Sequence, residues 1–143
     1  MLGILYSVLA GIFVSLQSVF NTRLSDKIGL FETTTVVHAV GFGVALITMF
    51  IWGNGSLKRV SEVNKLYLLG GAFGVIIVYS VMRGMSLLGT AYSIEIQLVA
   101  QLIVATIIDT FGLFGVPQIK FDVTKPLGIL LMIAGIIVFK LKG

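Results

Sequence analysis

The stretch that decides the fold is residues 33–57, TTTVVHAVGFGVALITMFIWGNGSL, which contains no Asp, Glu, Lys or Arg. Two other uncharged runs, residues 1–22 and 66–82, lie on either side of it along the chain. Because a transmembrane helix needs about 20 consecutive apolar residues, each run is long enough, or nearly so, to cross a bilayer. The apolar residues are continuous rather than alternating, which favours helices over the strands of a membrane barrel.

Two further segments are apolar but less uniform. Residues 91–114 carry two carboxylates, and residues 126–140 are so short that we expect their ends to snorkel to the interface. We therefore predict an all-α membrane protein whose single domain, residues 1–143, has five transmembrane helices. The predicted spans are about 2–21, 33–52, 66–83, 91–114 and 126–140, and the predicted connections are 22–32, 53–65, 83–90 and 115–125.

The composition excludes several classes of protein. Of the 143 residues 57% are hydrophobic and 11% are charged, and the mean hydropathy is +1.10. A soluble domain has roughly 25% charged residues, and five helices of about 20 residues leave no room for a separate catalytic or DNA-binding domain. We therefore expect no enzyme activity. The basic residues are scattered singly between apolar runs, which argues against nucleic-acid binding.

The sequence gives no sign of a cofactor or a metal. It has no cysteine and one histidine, so a thiolate site and a histidine cluster are excluded. The closely spaced glycines Gly70, Gly71 and Gly74 lie inside an apolar helix, which is the wrong context for a nucleotide-binding loop. Transport by this chain would therefore use gradients or passive flow rather than ATP.

The basic residues also bear on how the chain inserts. Five spans would place the termini on opposite sides of the membrane, and the positive-inside rule orients a chain by the difference in Lys and Arg between the sides. Here that difference is zero. One side has Lys58, Arg59, Lys65, Lys120 and Lys125, and the other has Arg23, Lys27, Arg83, Lys140 and Lys142.

Two interpretations of this balance remain open. One strong loop could dominate insertion and give a single orientation. Alternatively, the same chain inserts both ways and two copies pair as an antiparallel homodimer, which is a dual topology. Such a pair would have ten helices related by an axis in the membrane plane, the arrangement that inverted-repeat transporters achieve within one chain.

Two carboxylates, Glu95 and Asp109, lie within or at the edge of the fourth predicted span, where a buried charge is costly. Burial favours the protonated form of an unpaired carboxyl group, so a proton and an organic cation could compete for it. Glu95 is therefore a candidate for binding the substrate or a coupling ion. The alternative is an interfacial carboxylate stabilised by the helix dipole. Asp109 lies near the other end, where the dipole opposes it, and we interpret it as a structural charge.

The fourth span has two polar faces. At about 100 degrees per residue, Asp109 lies about 40 degrees from Glu95 around the helix, whereas Gln97 and Gln101 lie on the far side. One face could line a cavity while the other meets a second helix or the partner chain. For both glutamines, hydrogen bonding between helices is the alternative to contact with a ligand.

Other spans add further candidates. A lone histidine could serve a proton relay, although such residues are more often hydrogen-bonded packing residues. Arg83 is interpreted as a structural charge that either snorkels or pairs with Glu95 across the short turn. The remaining candidate binding residues are Gln17, Asn21, His38 and Tyr79.

Small residues predict where the helices pack, because membrane helices approach closely where side chains are small. One such stripe includes Gly11 and Ser15 in the first span. The other consists of Gly70, Gly71 and Gly74 in the third span. Trp52 is interpreted as an anchor at the membrane interface.

Four segments together carry a resemblance to a known family. They are residues 11–24 (GIFVSLQSVFNTRL), 69–80 (LGGAFGVIIVYS), 100–115 (AQLIVATIIDTFGLFG) and 127–139 (LGILLMIAGIIVF). The chain resembles the short, five-helix YdcZ-like bacterial inner-membrane proteins, which belong with the EamA-type half-units of the drug/metabolite transporter superfamily. The resemblance implies a single repeat that must dimerise. By this match Gln17, Asn21, Gln101 and Asp109 occupy family positions, whereas Glu95 and His38 depart from them.

Three hypotheses for the function follow. The first is a secondary transporter or exporter of a small metabolite or organic cation, proton-coupled and working by alternating access as an antiparallel homodimer. The second is a passive dual-topology channel, and the third is a membrane partner subunit that does not itself transport. Acidic groups in the spans favour coupled transport, because a channel would more naturally present a continuous polar file.

Overall fold

The computed structural model describes residues 1–120 and 122–141, so that Lys142, one of the basic residues counted above, lies outside the described residues. The described chain is built from α-helices joined by connections, two of which contain the three 3-10 helices. The α-helices are α1 (Leu2–Ile28), α2 (Leu30–Trp52), α3 (Leu69–Leu88), α4 (Thr90–Phe111) and α5 (Thr124–Lys140), and the 3-10 helices are Leu57–Glu62, Lys65–Leu68 and Leu113–Gly115.

The chain divides into two compact units. The first unit, Met1–Leu87, contains α1, α2 and nearly all of α3, and the second unit, Leu88–Gly143, contains α4 and α5. Each unit is described by itself below. The prediction of one domain across the whole chain stays a prediction.

Two predicted connections are much shorter than the sequence analysis expected, and those boundaries were wrong. The predicted connection 22–32 reduces to Gly29, because α1 continues through its charged last turns to Ile28. The predicted turn at 83–90 likewise reduces to Gly89, since α3 runs to Leu88. Charged residues end a hydrophobic run without ending a helix. Both glycines have positive φ, +98° and +83°, a backbone conformation that other residues rarely adopt, and each follows the last residue of a helix.

The first unit is packed most closely at the end that contains the Gly29 turn. There the rings of Phe31 and Tyr79 stack with centroids 5.1 Å apart, and the Thr22 hydroxyl donates to the Met85 sulfur at 3.5 Å. At the other end of α1, residues 2–14 are all exposed. The buried side chains of this unit are Ser18, Asn21, Thr33, Thr34, Met82 and Met85.

Two of these small polar side chains, Ser18 and Thr34, are satisfied within their own helix. The Ser18 hydroxyl donates to the Val14 carbonyl at 2.6 Å, and the Thr34 hydroxyl donates to the Leu30 carbonyl at 2.8 Å. Because these hydroxyls bond to the preceding turn, they can be buried without a polar partner on another helix.

The second unit is a helical hairpin of α4 and α5. α4 ends at Gly112, whose left-handed conformation (φ +61°) turns the chain out of the helix. The Lys140 ammonium lies 4.1 Å from the centroid of the Tyr92 ring, so the end of α5 contacts the beginning of α4. The two helices are therefore antiparallel neighbours.

Four helices are long and apolar enough to cross a membrane among the described residues: Leu2–Ile28, Leu30–Trp52, Lys65–Leu88 and Thr90–Phe111. α5 has 17 residues. At 1.5 Å per residue a helix of this length spans about 26 Å, somewhat less than a hydrocarbon core of about 30 Å. The membrane character of the chain is confirmed, whereas the fifth span stays a prediction.

Candidate functional site

Glu95 lies in the second turn of α4, within one of the four helices able to cross a membrane. Its side chain is half-buried, and its Oε2 atom is buried without a hydrogen-bond partner among the described residues. An ionised carboxylate is costly to remove from water unless it is paired, so such a group normally has a partner or a proton. Glu95 is thus an acidic group with an unfilled capacity to bind a proton or a cation.

The Tyr92–Lys140 contact shows which side of α4 faces α5. At about 100 degrees per residue, Val99 lies within about 20 degrees of Tyr92, and Glu95 lies about 60 degrees from it. Val99 is buried, consistent with this side being packed. The carboxylate of Glu95 therefore projects from the border of the surface that α4 presents to α5.

The two glutamines project from the opposite side of α4. Gln97 lies about 140 degrees and Gln101 about 180 degrees from Tyr92 around the helix. Gln97 is half-buried and Gln101 is exposed. The two polar faces predicted for this helix therefore have different neighbours. The Glu95 carboxylate lies toward α5, and the two glutamines face away from α5.

Asp109 lies in the last turn of α4, and its side chain is half-buried. The hydrogen bonds at this end of the helix come from the loop that follows. The Ile119 amide donates to the Asp109 carbonyl at 2.9 Å, and the Gln118 side chain donates to the Thr110 carbonyl at 2.8 Å. Gln118 was not identified from the sequence, because a polar residue in a loop gives no signal of its partner. A structural role for the Asp109 carboxylate stays a prediction.

The candidates on α1 differ in exposure. Asn21 is only 6% exposed, whereas Gln17 is exposed. Nearby in the same unit, Thr33 is fully buried, and its hydroxyl has no hydrogen-bond partner among the described residues. Buried polar atoms without a partner are uncommon in native proteins. Thr33 escaped the sequence analysis, because a threonine at the start of an apolar helix looks like an ordinary helix residue.

His38 and Tyr79 both lie where α2 meets α3. The His38 Nδ1 atom is 2.7 Å from the Thr34 carbonyl oxygen, so this nitrogen carries the hydrogen and Nε2 is left toward α3. A methyl group added at Gly74 would lie 3.3 Å from Nε2. The glycine thus allows the imidazole to approach α3 closely. This is the arrangement expected of a packing histidine, and Tyr79 stacks on Phe31 in the same contact region.

The other predicted packing positions are open. A methyl group added at Gly11, Gly70 or Gly71 would meet no atom of the described chain within 4 Å. Ser15 is half-buried, and its hydroxyl donates to the Gly11 carbonyl at 2.9 Å.

The predicted pairing of Arg83 with Glu95 stays a prediction, because the two residues belong to different units. Arg83 is exposed in the last two turns of α3. The ion pair found in the described part of the chain is Arg23 with Asp26 on α1, 3.9 Å apart and exposed. An exposed pair of this kind contributes little to stability.

No group of three or more His, Cys, Asp or Glu residues able to hold a metal ion occurs among residues 1–120 and 122–141. The described polar groups of the helices include hydroxyls, amides, one imidazole, one indole N–H, carboxylates and the cationic groups of Lys and Arg. Of these, the Glu95 carboxylate combines partial burial, an unpartnered oxygen and the capacity to exchange a proton.

The sequence model of the family described as "Putative inner membrane exporter, YdcZ" matches residues 2–138. The match confirms the resemblance found from the sequence and covers nearly the whole chain. No curated protein and no solved structure matches the chain. The chain, with its several apolar membrane-spanning helices, therefore belongs to the DMT_YdcZ family and is a multi-pass inner-membrane protein with a transporter-like role.

Proposed function

We propose that this protein is a proton-coupled secondary exporter of a small organic cation, and that Glu95 binds the proton and the cation in turn. The observation that carries the proposal is the buried, unpartnered Oε2 atom of Glu95 within a membrane-spanning helix. An ionised carboxylate inside a membrane-spanning helix is costly unless it is paired, so a bound cation would stabilise it. Exchange of the proton for the cation is the chemistry of an antiporter.

The aromatic ring nearest to Glu95 along the helix supports a cationic substrate. Tyr92 precedes Glu95 by three residues, which makes the two side chains neighbours on the surface of α4. Its ring already binds one cation, the Lys140 ammonium. A tyrosine face attracts organic cations in the same way, so the ring and the carboxylate together would favour a compact, positively charged substrate.

The proposal includes α5 as a fifth span and an antiparallel homodimer as the working unit. One chain has too few helices to enclose a substrate on all sides, and the small residues Gly11, Gly70 and Gly71 have open space in front of them. The balanced Lys and Arg distribution favours insertion in both orientations. Two oppositely inserted copies would place two Glu95 carboxylates related by an axis in the membrane plane, which is the symmetry of inverted-repeat transporters.

The test is Glu95→Gln in proteoliposomes with a pH-sensitive dye inside and a proton gradient across the membrane. Organic cations of different sizes are added, with ethidium as the fluorescent reporter. We expect cation-induced proton release in the wild-type protein and none in Glu95→Gln, because the amide keeps the shape and cannot exchange a proton. Glu62→Gln is the matched control, since Glu62 is an exposed glutamate that lies between α2 and α3 along the chain.

Two results would contradict the proposal. Normal coupling in Glu95→Gln, with loss of coupling in a well-folded Asp109→Asn variant, would move the site to the opposite end of α4. Cation flux that is independent of the proton gradient and unchanged by Glu95→Gln would instead identify a passive channel.

A further inference from the structure

The connection between α2 and α3, residues 53–68, is the longest between successive helices of the first unit, and it contains two 3-10 helices. Both of its ends are joined to membrane-spanning helices, α2 ending at Trp52 and α3 beginning at Leu69. The segment therefore joins two helices that are long and apolar enough to cross a membrane. We call it the α2–α3 connection.

The first of its two helices, Leu57–Glu62, is amphipathic with a period of three. A 3-10 helix has three residues per turn, so side chains at positions i and i+3 eclipse each other. Leu57 and Val60 therefore form one apolar stripe, and Val63, the next position of this period, follows directly after the helix. These side chains are 69%, 43% and 45% exposed, so the stripe is not covered by the chain itself.

The other two stripes of this helix are polar. Lys58 and Ser61 share one stripe, and Arg59 and Glu62 share the other. Together with Lys65 the connection has three cations and one anion, a net charge of +2. All of these charged side chains are exposed.

A cleft of about 520 Å³ lies where the connection leaves α2. Apolar side chains and a cation both border it: Met49 and Leu57 contribute apolar surface, and Lys58 contributes an ammonium group. This combination matches a phospholipid, whose acyl chains meet apolar surface and whose phosphate meets a cation. The lining residues are Met49, Gly53, Gly55, Ser56, Leu57 and Lys58.

We propose that the α2–α3 connection binds the surface of the bilayer by recognising anionic phospholipids. The apolar stripe of Leu57 and Val60 lies against the upper acyl chains, and Lys58 and Arg59 contact headgroup phosphates. Membrane-surface helices bind in this way, through apolar area and attraction to anionic lipid together. The local hydrogen bonds hold the segment in shape, since the Asn64 side chain accepts from the Leu66 amide at 3.0 Å and caps the second 3-10 helix.

Because the sequence has no cysteine, a single introduced cysteine can be labelled at one chosen position. Val60→Cys and Ser61→Cys place a single environment-sensitive fluorophore on the apolar and the polar stripe of the same turn in the full-length protein. The labelled proteins are reconstituted in vesicles of phosphatidylcholine, alone or mixed equally with phosphatidylglycerol. Nitroxides on the lipid acyl chains and iodide in the water then quench the two labels from opposite sides.

We expect acyl-chain nitroxides to quench the label at position 60 and iodide to quench the label at position 61, with the contrast greater in the anionic vesicles. Each of Lys58→Gln and Arg59→Gln should shift the equilibrium between lipid contact and water exposure about fivefold toward water in those vesicles. High salt should reduce this effect, because salt screens exposed charges. Glu62→Gln, which raises the net charge, should shift the equilibrium the other way.

Equal quenching of the two labels by the lipid nitroxides would overturn the proposal, because the stripe would then have no orientation. Identical contrast in neutral and anionic vesicles would overturn the recognition of anionic lipid. Both results are independent of transport, so they are distinguishable from failure of the proposed export function.

Discussion

Alanine substitutions at Gly74 and Gly71 distinguish packing within the first unit from packing against another chain. Replacing a helical glycine by alanine ordinarily stabilises a helix, by about 0.5 to 1 kcal/mol, because the unfolded chain loses freedom. At Gly71 the added methyl meets no described atom within 4 Å, so Gly71→Ala should gain this amount in the isolated subunit. At Gly74 the same methyl lies 3.3 Å from the Nε2 atom of His38.

The imidazole cannot move away freely. Its Nδ1 atom is held 2.7 Å from the Thr34 carbonyl oxygen, so relieving the contact stretches that hydrogen bond or separates α2 from α3. Overpacking of this kind costs about 1 to 3 kcal/mol. Gly74→Ala should therefore be less stable than Gly71→Ala by about 1 to 3 kcal/mol, although the two changes are chemically identical and lie one turn apart on α3.

Thermal unfolding in detergent, followed by the loss of the monodisperse peak in size-exclusion chromatography, measures this difference. His38→Ala combined with Gly74→Ala completes the cycle. Removing the ring should cancel most of the penalty, because residues in contact show coupling that independent sites do not. If Gly74→Ala were as stable as Gly71→Ala, the close approach of His38 to α3 would not exist in solution.

Three further predictions concern other parts of the molecule. C-terminal reporter fusions should show both orientations at comparable levels, and adding lysines to one side should select one orientation; a single orientation in the unmodified chain would remove the main support for the antiparallel homodimer. Gly71→Leu should lower the dimer yield in crosslinking while the monomer stays folded, since the space in front of Gly71 is open in one chain; an unchanged yield would mean that this surface faces lipid. Gln118→Ala should lower the unfolding midpoint by the loss of one hydrogen bond, about 0.5 to 1.5 kcal/mol, because the Thr110 carbonyl loses its donor. A midpoint unchanged in Gln118→Ala would show that water replaces the amide.

The sequence alone was sufficient to predict that this protein lies in a lipid bilayer and that its fold is all-α. Long uncharged runs such as residues 33–57 cannot be exposed to water at low cost. In a bilayer only helices and closed barrels satisfy every backbone polar group, and a continuous rather than alternating apolar run favours the helix. The family was also visible in the sequence, because four apolar segments of the chain carry the resemblance. Glu95 could be singled out for the same reason, since a carboxylate is conspicuous in an apolar segment.

Helix ends were predicted less well, because the end of a hydrophobic run and the end of a helix have different physical causes. A run ends where charge begins, whereas a helix ends where the backbone turns. α1 passes through Arg23 and Lys27 and stops at Gly29, the first position that adopts a positive φ. The one-residue turns at Gly29 and Gly89 follow from this backbone preference and not from hydropathy.

Contacts between helices were decided by the tertiary structure alone. Tyr92 meets Lys140, and His38 meets Gly74, across separations along the chain that carry no local pattern. These contacts determine which face of α4 carries the Glu95 carboxylate. They also determine that a methyl group at Gly74, unlike one at Gly70 or Gly71, would contact another helix of the first unit. In a membrane, burial does not select between apolar faces, because lipid is as apolar as a helix surface. The choice is made by the fit of small residues and polar atoms between helices, which exists only after the chain has folded.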